Sequence, residues 1–148
     1  MERRVTAITR FKKLSPLAQA PRYATGEAAG ADLVSVESVE LMPNERKLVR
    51  TGISVEFHVS YSLLICPRSG EAFKHGVTVL NAPGVVDSDY RGEVKVMLIN
   101  LGDKSYKVEI GQRIAQALLV PIGHGSWVEV EELNTTARGD GGFGHTGS

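Results

Sequence analysis

Apolar and polar residues alternate over short segments along most of the chain. In residues 94–99, for example, Val94, Val96 and Leu98 occupy every second position. Side chains of a β-strand point alternately to its two faces, so this period of two predicts strands with one buried face. Together with short apolar runs bounded by turn residues, the pattern predicts strands near residues 1–13, 31–36, 47–50, 53–57, 62–66, 77–80, 94–99, 106–110, 114–120 and 127–133.

Turn residues separate these segments at short intervals. The 16 glycines and 6 prolines are spread through the chain. Pro67 ends the strand before it, because proline cannot donate to a strand ladder, and residues 14–30 are predicted to be a loop. Many short strands with close turns predict an all-β domain of the sandwich, jelly-roll or barrel type. No long amphipathic helix is expected.

Composition and charge narrow the class of protein. The chain has 148 residues, and its 17 basic and 17 acidic side chains give a formal net charge of zero. The lack of a basic field argues against a nucleic-acid or membrane-surface binder. The single Cys66 fits a reducing compartment, no apolar run approaches the roughly 18 residues of a membrane span, and the start does not resemble a secretory signal. We expect a cytoplasmic protein, or one of the nucleus or an organelle if the source is eukaryotic.

Acidic, aromatic and basic residues are concentrated in residues 81–93, just before the strand predicted at 94–99. Pro83-Gly84 is a turn dipeptide in which Gly84 would accept a positive φ. Asp87 and Tyr90 follow within a few positions. A loop anchored in this way is either a charged hairpin tip or a catalytic loop, and the local pattern alone does not decide between them.

The C-terminal residues 138–148 are rich in glycine. Their spacing is similar to that of a phosphate-binding loop, but such a loop needs a helix after it, and none is predicted. Glycine N–H groups can still converge on phosphate oxygens, Arg138 can pair with two of them, and Thr146 offers a hydroxyl. Phe143 is expected to stack on a flat partner. A frayed terminus is the alternative.

Other polar positions fit an anionic ligand. Arg68-Ser69-Gly70 follows a strand end and offers a cation, a hydroxyl and backbone N–H groups. Gln116 lies in an apolar strand and needs a partner if it is buried, and Asp32 is either a turn acid or a metal ligand. One cysteine and 4 scattered histidines do not predict a zinc site, whereas Mg²⁺ needs only one protein acid beside substrate phosphates. Together these features favour a nucleotide site.

Taken in order, these motifs resemble those of the trimeric deoxyuridine triphosphatases (dUTPases). The matching segments are residues 29–33, 67–70, 81–92, 111–116 and 138–147, within a resemblance that covers about residues 4–148. It implies a jelly-roll domain over residues 1–137 and a homotrimer whose sites are shared between subunits. The implied reaction is hydrolysis of dUTP to dUMP and pyrophosphate with Mg²⁺, which keeps uracil out of DNA and supplies dUMP for dTMP synthesis.

The resemblance also implies a role for each motif residue. Asp87 would be the general base whose water attacks the α-phosphorus, and Asp32 would hold Mg²⁺ through water. The implied substrate-binding residues are Arg68, Ser69, Gly70 and Gln116 for the phosphates, Asn81, Gly84, Val86 and Tyr90 for the deoxyuridine, and Arg138, Phe143, Gly144 and Thr146 in a flexible tail, residues 138–148, that closes over the nucleotide.

Glu71 departs from the family pattern, which usually has an apolar residue at this position. A buried unpaired carboxylate is costly, so we expect Glu71 to face solvent or to pair with a base such as Lys74 or Arg91. Two alternatives stay open. One is a dCTP deaminase of similar fold, which should carry a glutamate as its base. The other is a catalytically silent nucleotide-binding module, against which the presence of Asp87 and Tyr90 argues.

Overall fold

The computed structural model describes residues 6–142, which form short strands and one helix. The elements are β1 (Arg10–Lys13), β2 (Arg22–Tyr23), β3 (Ala31–Val34), β4 (Val39–Leu41), β5 (Arg46–Arg50), β6 (Ile53–Glu56), β7 (Tyr61–Cys66), α1 (Ser69–His75), β8 (Val77–Val79), β9 (Gly84–Val86), β10 (Lys95–Asn100), β11 (Tyr106–Val108) and β12 (Arg113–Pro121).

Antiparallel pairing joins these strands into sheets. The largest has the order β2-β3-β12-β7-β9, and in a second sheet β10 lies between β5 and β8. β1 pairs with β6, and β4 pairs with β11. In the largest sheet Asp32 of β3 lies opposite Gln116 of β12, which in turn lies opposite Cys66 of β7. Three segments that are distant in sequence therefore meet in one row of this sheet.

The hydrophobic core lies between the sheets and follows the alternation seen in the sequence. In β10, Val96 and Leu98 are buried with 0% and 2% exposure, while Lys95 faces solvent. The prediction of an all-β domain is confirmed. The most deeply buried apolar side chains are Leu33, Leu41, Val49, Ile53, Val94, Val96, Leu98 and Val108.

Several short elements were not predicted. β2 lies in the segment expected to be a loop, and β4 and β9 have only three residues each, too few for a period to be recognised. The helix α1 begins two residues after Pro67, with Arg68 as its N-cap, and is capped at its C-terminus by Gly76, whose φ of 69° and N–H bond to Ala72 O form a left-handed cap. Arg68-Ser69-Gly70 is therefore the start of a helix as well as the end of a strand.

The strand predicted over residues 127–133 is wrong for the single chain. These residues belong to what we call the C-terminal arm (residues 123–137), which has no strand pairing in the part of the chain described. Trp127 and Leu133 are 98% and 85% exposed. A strand needs a neighbour to accept its backbone hydrogen bonds, and no described segment of this chain supplies one.

Across residues 6–142 we find no helix with the length and apolar character that a membrane crossing requires.

Candidate active site

A small pocket lies beside the hairpin that joins β8 to β9. Its volume is about 100 Å³. Asn81 supplies an amide, with one hydrogen-bond acceptor and two donors, and Lys95 is the only other polar side chain among the lining residues. A flat heterocycle with a donor and an acceptor on one edge would match that amide. The lining residues are Leu48, Ile65, Val79, Asn81, Gly84, Val85, Val86, Lys95 and Met97.

Gly84 is required in this pocket for a different reason from the one predicted. It is the first residue of β9 and is absent from the glycines with a positive φ, so the expected turn conformation is wrong. A Cβ at Gly84 would lie 3.3 Å from Asn81 Nδ2 and 3.4 Å from Ile65 Cβ. The missing side chain lets Asn81 approach the strand, while the preceding Ala82–Pro83 peptide bond is cis.

The loop after β9 holds Asp87 and Tyr90 in place through its own backbone. Asp87 is exposed, and its carbonyl accepts a hydrogen bond from Tyr90 N at 3.2 Å. The Tyr90 hydroxyl donates to the Glu93 carbonyl at 3.0 Å, and Arg91 Nη1 donates to the Ser88 carbonyl at 2.7 Å. Arg91 therefore ties the loop together, whereas the Asp87 carboxylate faces solvent.

Gly92 is a loop residue that sequence reasoning did not single out. A Cβ at this position would overlap the hydroxyl end of the Tyr90 ring, with Cε2 at 2.9 Å. Glu93 anchors the end of the loop, because its carboxylate accepts from Gly52 N at 2.9 Å and lies 3.1 Å from Arg50 Nε. Gly92 thus allows the ring of Tyr90 to fold back over its own loop.

A second polar group surrounds Asp32, which is only 7% exposed. Its Oδ2 lies 3.2 Å from Arg113 Nη1, and its Oδ1 lies 3.4 Å from Gln116 Nε2 and 3.7 Å from Arg68 Nε. We call Asp32, Arg68, Arg113 and Gln116 the arginine cluster. Gln116 is thus a satisfied amide, and Arg113 is a member that no sequence pattern singled out. A buried carboxylate flanked by two guanidinium groups directs their remaining N–H donors outwards, where they can bind an anion.

The arginine cluster and the hairpin pocket lie on opposite faces of the largest sheet. Ile65 pairs with Gly84 and lines the pocket, whereas the next residue, Cys66, pairs with Gln116. Consecutive residues of a strand point to opposite faces. One chain therefore carries two half-sites that face apart, although their strands are neighbours.

Ser69 and Gly70 are exposed in the first turn of α1, next to Arg68. The first N–H groups of a helix have no partner within the helix, and a Cβ at Gly70 would meet no described atom within 4 Å. The surface at the start of α1 is therefore open.

Of the predicted tail residues, Arg138 is exposed and its Nε donates to the Gly141 carbonyl at 2.8 Å. Phe143, Gly144 and Thr146 lie outside the described residues.

Asp32 is the predicted Mg²⁺ contact. Within residues 6–142 there is no group of three or more His, Cys, Asp or Glu side chains that could hold a metal ion, so a cage made of protein ligands alone is not formed there. A carboxylate has about four lone-pair positions, and the contacts from Arg113, Gln116 and Arg68 leave room for one water. The donor set therefore fits an ion that keeps its waters and is held mainly by substrate phosphates.

An antiparallel β-sandwich with an amide-lined pocket and an arginine cluster defines a protein that binds a small, flat and anionic ligand. A sequence model of the dUTPase family matches residues 17–147. The chain belongs to the dUTPase family.

Individual relatives agree with this assignment over nearly the whole chain. It is 53% identical over 93% of its length to the deoxyuridine 5'-triphosphate nucleotidohydrolase of Nautilia profundicola, of which 97% is covered. It is 49% identical to that of Chlamydia pneumoniae, with 95% of this chain and 99% of the relative covered. Among solved structures it is similar to the Staphylococcus bacteriophage 80alpha dUTPase with dUpNHpp, at 29% identity and a TM-score of 0.89, covering 97% of this chain and 100% of that one. This likeness confirms the expected fold.

Proposed function

We propose that the chain hydrolyses dUTP to dUMP and pyrophosphate. The observation that carries the proposal is the 53% identity, over 93% of the chain, to a deoxyuridine 5'-triphosphate nucleotidohydrolase. The separation of an amide-lined pocket from an arginine cluster supports it, since a nucleoside triphosphate has a flat base at one end and phosphates at the other. Asn81 would bind the uracil edge, with the backbone of Gly84 and Val86 beside it.

In the proposed mechanism Asp87 takes a proton from a water molecule that attacks the α-phosphorus. A new P–O bond forms, the bond from the α-phosphorus to the bridging oxygen breaks, and pyrophosphate leaves with the electron pair. Arg68, Ser69 and Gln116 orient the phosphates, so that positioning and charge stabilisation lower the barrier. Mg²⁺, held by the phosphates and through water by Asp32, would neutralise part of the triphosphate charge.

The remaining substrate contacts are also proposals. Tyr90 would lie beneath the deoxyribose and leave no space for a 2′-hydroxyl. The tail would close over the nucleotide, with Phe143 on the uracil, Arg138 and Thr146 on the γ-phosphate, and the Gly144 N–H as a further donor.

Isotope labelling tests the position of attack. Hydrolysis in H₂¹⁸O should place the label in dUMP, because the water oxygen bonds to the α-phosphorus. Label in pyrophosphate would mean attack on the β-phosphorus and would refute the role given to Asp87. Release of ammonia from dCTP would instead support the deaminase alternative.

We also propose a homotrimer in which each site is built from more than one subunit. Two features support it: the half-sites face apart, and apolar surface is left uncovered. The arm exposes Trp127, Val128 and Leu133, and an apolar cavity of about 900 Å³ stays open beside β1 and β12. Exposed apolar surface of this extent is typical of an interface.

Complementation between inactive variants tests shared sites. Asp87→Asn and Arg68→Ala, each of low activity alone, should regain activity when co-expressed, because some sites in mixed trimers would combine an intact Asp87 with an intact Arg68 from another subunit. Activity no higher than that of the separate variants would show that each site lies within one chain. Light scattering of the wild type should give three times the monomer mass of 16.0 kDa.

A further inference from the structure

Glu71 lies at the centre of a hydrogen-bonded group that links α1 to β11. Its Oε1 is 3.3 Å from Arg68 Nη1, one helical turn earlier, and its Oε2 accepts a hydrogen bond from the Tyr106 hydroxyl. Gln112 Nε2 donates to the same hydroxyl at 2.5 Å. The expected partners, Lys74 or Arg91, are therefore wrong. The carboxylate does pair with a base, but that base is Arg68, three residues before it on the N-terminal side.

The Arg68 guanidinium is held from several directions. Besides Glu71, the Arg113 carbonyl accepts from Nη1 at 3.1 Å, and Asp32 Oδ1 lies 3.7 Å from Nε. The side chain is only 21% exposed. These contacts use Nη1 and Nε, and within residues 6–142 no hydrogen bond is formed by Nη2. The guanidinium is thus held at Nη1 and Nε, while the N–H donors of Nη2 can meet a phosphate.

Tyr106 and Gln112 in turn fix Glu71. Tyr106 is half-buried in β11, and its ring centroid lies 5.0 Å from that of His75. Gln112 is held by its own Oε1, which accepts from Glu109 N at 2.9 Å. Burial, and after it the hydrogen bond to Glu71, raises the pKa of Tyr106 above its ordinary value of 10.0, so the hydroxyl keeps the proton that it donates. Glu71 therefore has one defined position.

Glu71 also changes the charge of the site. With Arg68 and Arg113 opposed by Asp32 and Glu71, two guanidinium groups face two carboxylates and the formal charges cancel. An apolar residue at position 71 would leave one positive charge in excess and attract a triphosphate more strongly. Glu71 therefore weakens the electrostatic attraction of the site for an anionic ligand, but it fixes the orientation of the Arg68 guanidinium.

We propose that Glu71 is a positioning residue for dUTP hydrolysis, which fixes the Arg68 guanidinium in the orientation that contacts the phosphates. The proposal rests on the proposed function, in particular on Arg68 as a phosphate ligand. Glu71 itself does not touch the substrate. Its effect should appear in turnover more than in binding, because a misplaced donor stabilises the transition state less while the added positive charge favours the anion.

The test compares Glu71→Gln with the wild type in steady-state kinetics and in binding of the non-hydrolysable analogue dUpNHpp. The glutamine keeps the shape and removes the charge. We expect kcat to fall on the order of 10-fold, since small displacements of a positioning group have effects of this size or larger. The Kd of dUpNHpp should stay equal or become tighter, most clearly at low salt, where charge is screened least. Glu40→Gln, an exposed carboxylate on β4, is the matched control and should behave as the wild type.

A double-mutant comparison shows whether Glu71 acts through Arg68. In an Arg68→Ala background, Glu71→Gln should change kcat by less than about 2-fold, because the group that it positions is gone. A further 10-fold loss in that background would overturn the proposal. So would a Glu71→Gln enzyme with wild-type kcat, or one in which dUpNHpp binding weakens in step with kcat.

Two further measurements keep the outcome clear. If Glu71→Gln does not fold, Tyr106→Phe removes the hydrogen bond that fixes Glu71 and should lower kcat in the same direction by a smaller factor; unchanged turnover in that variant would count against the proposal. If the wild type fails to hydrolyse dUTP, the proposed function fails. If Arg68→Ala turns over dUTP normally, Arg68 is not a phosphate ligand and the role of Glu71 fails with it. If Arg68→Ala is impaired and Glu71→Gln is not, only the role of Glu71 fails.

Discussion

The substitution Gly92→Ala should affect substrate selectivity far more than stability. An alanine Cβ at this position would overlap the hydroxyl end of the Tyr90 ring, with Cε2 at 2.9 Å. Because the clash is with the end of a side chain that can rotate, the fold can relax by moving the ring. The ring would then leave the place at which it is proposed to support the deoxyribose, and the bond from its hydroxyl to the Glu93 carbonyl would break.

The expected effect on folding stability is small, whereas the expected effect on the catalytic rate is large. Folding loses one hydrogen bond, worth about 0.5–1.5 kcal/mol, at a residue that is 45% exposed. For a chain of this size a loss of about 1 kcal/mol lowers Tm by roughly 2–4 °C. Displacing a group that positions the substrate can cost on the order of 100-fold in rate. We therefore expect a folded enzyme with strongly reduced kcat/KM for dUTP and a smaller preference for dUTP over UTP.

The assay measures kcat/KM for dUTP and UTP together with Tm. Tyr90→Phe is the matched control for the ring, because it loses the same hydrogen bond but keeps the aromatic face, and it should retain most of its selectivity. If Gly92→Ala keeps wild-type kcat/KM and selectivity, the Tyr90 ring does not lie beneath the deoxyribose as proposed.

Three other perturbations test separate parts of the account. Asp87→Asn should bind dUpNHpp as the wild type does and lose on the order of 100-fold or more in kcat, as expected for a general base, and near-normal turnover would remove that role. Deleting residues 138–148 should leave the thermal transition and the oligomer unchanged in scanning calorimetry and light scattering but lower kcat/KM steeply, and an unchanged value would take the tail out of the mechanism. Tyr106→Phe should lower urea stability at neutral pH. Because folding raises the pKa of the Tyr106 hydroxyl, the neutral hydroxyl contributes its full stabilisation below the ordinary pKa of 10.0. That stabilisation is lost as the pH rises through the raised pKa of the folded state. A stability difference between wild type and Tyr106→Phe that widened in alkali would contradict this expectation.

The sequence predicts a strand correctly where the strand is long enough to show its pattern of apolar residues and has a partner strand in the same chain. β7, β10 and β12 are six or more residues long and have partners in the same chain, and their apolar side chains are buried or half-buried except at Pro121. β4 and β9 are too short to show a period. Residues 127–133 show the alternation but have no partner strand among residues 6–142, and alternation alone cannot show whether a partner belongs to the same molecule.

The site residues could be predicted by motif, but their contacts could not. Gly92 is required because a side chain there would overlap the ring of Tyr90, and Arg113 belongs to the site because it pairs with Asp32 on another strand. Glu71 was recognised as a departure from the family, yet its partners depend on the turn of α1 and on the approach of β11, which spacing does not reveal. Charge pairing over three residues of a helix is a local rule, but it points equally to Arg68 and to Lys74, and only the structure shows that Arg68 is the partner.

Pyrophosphate release from dUTP, UTP, dTTP and dCTP, measured side by side with Mg²⁺, tests whether the chain is a hydrolase selective for dUTP. We expect rapid release from dUTP and little from the other three. In the proposed site Asn81 would reject the edge of cytosine, the Tyr90 ring would leave no space for the 2′-hydroxyl of UTP, and the hairpin pocket of about 100 Å³ would leave no space for the 5-methyl group of dTTP. Comparable turnover of all four, or no pyrophosphate from dUTP, would contradict it.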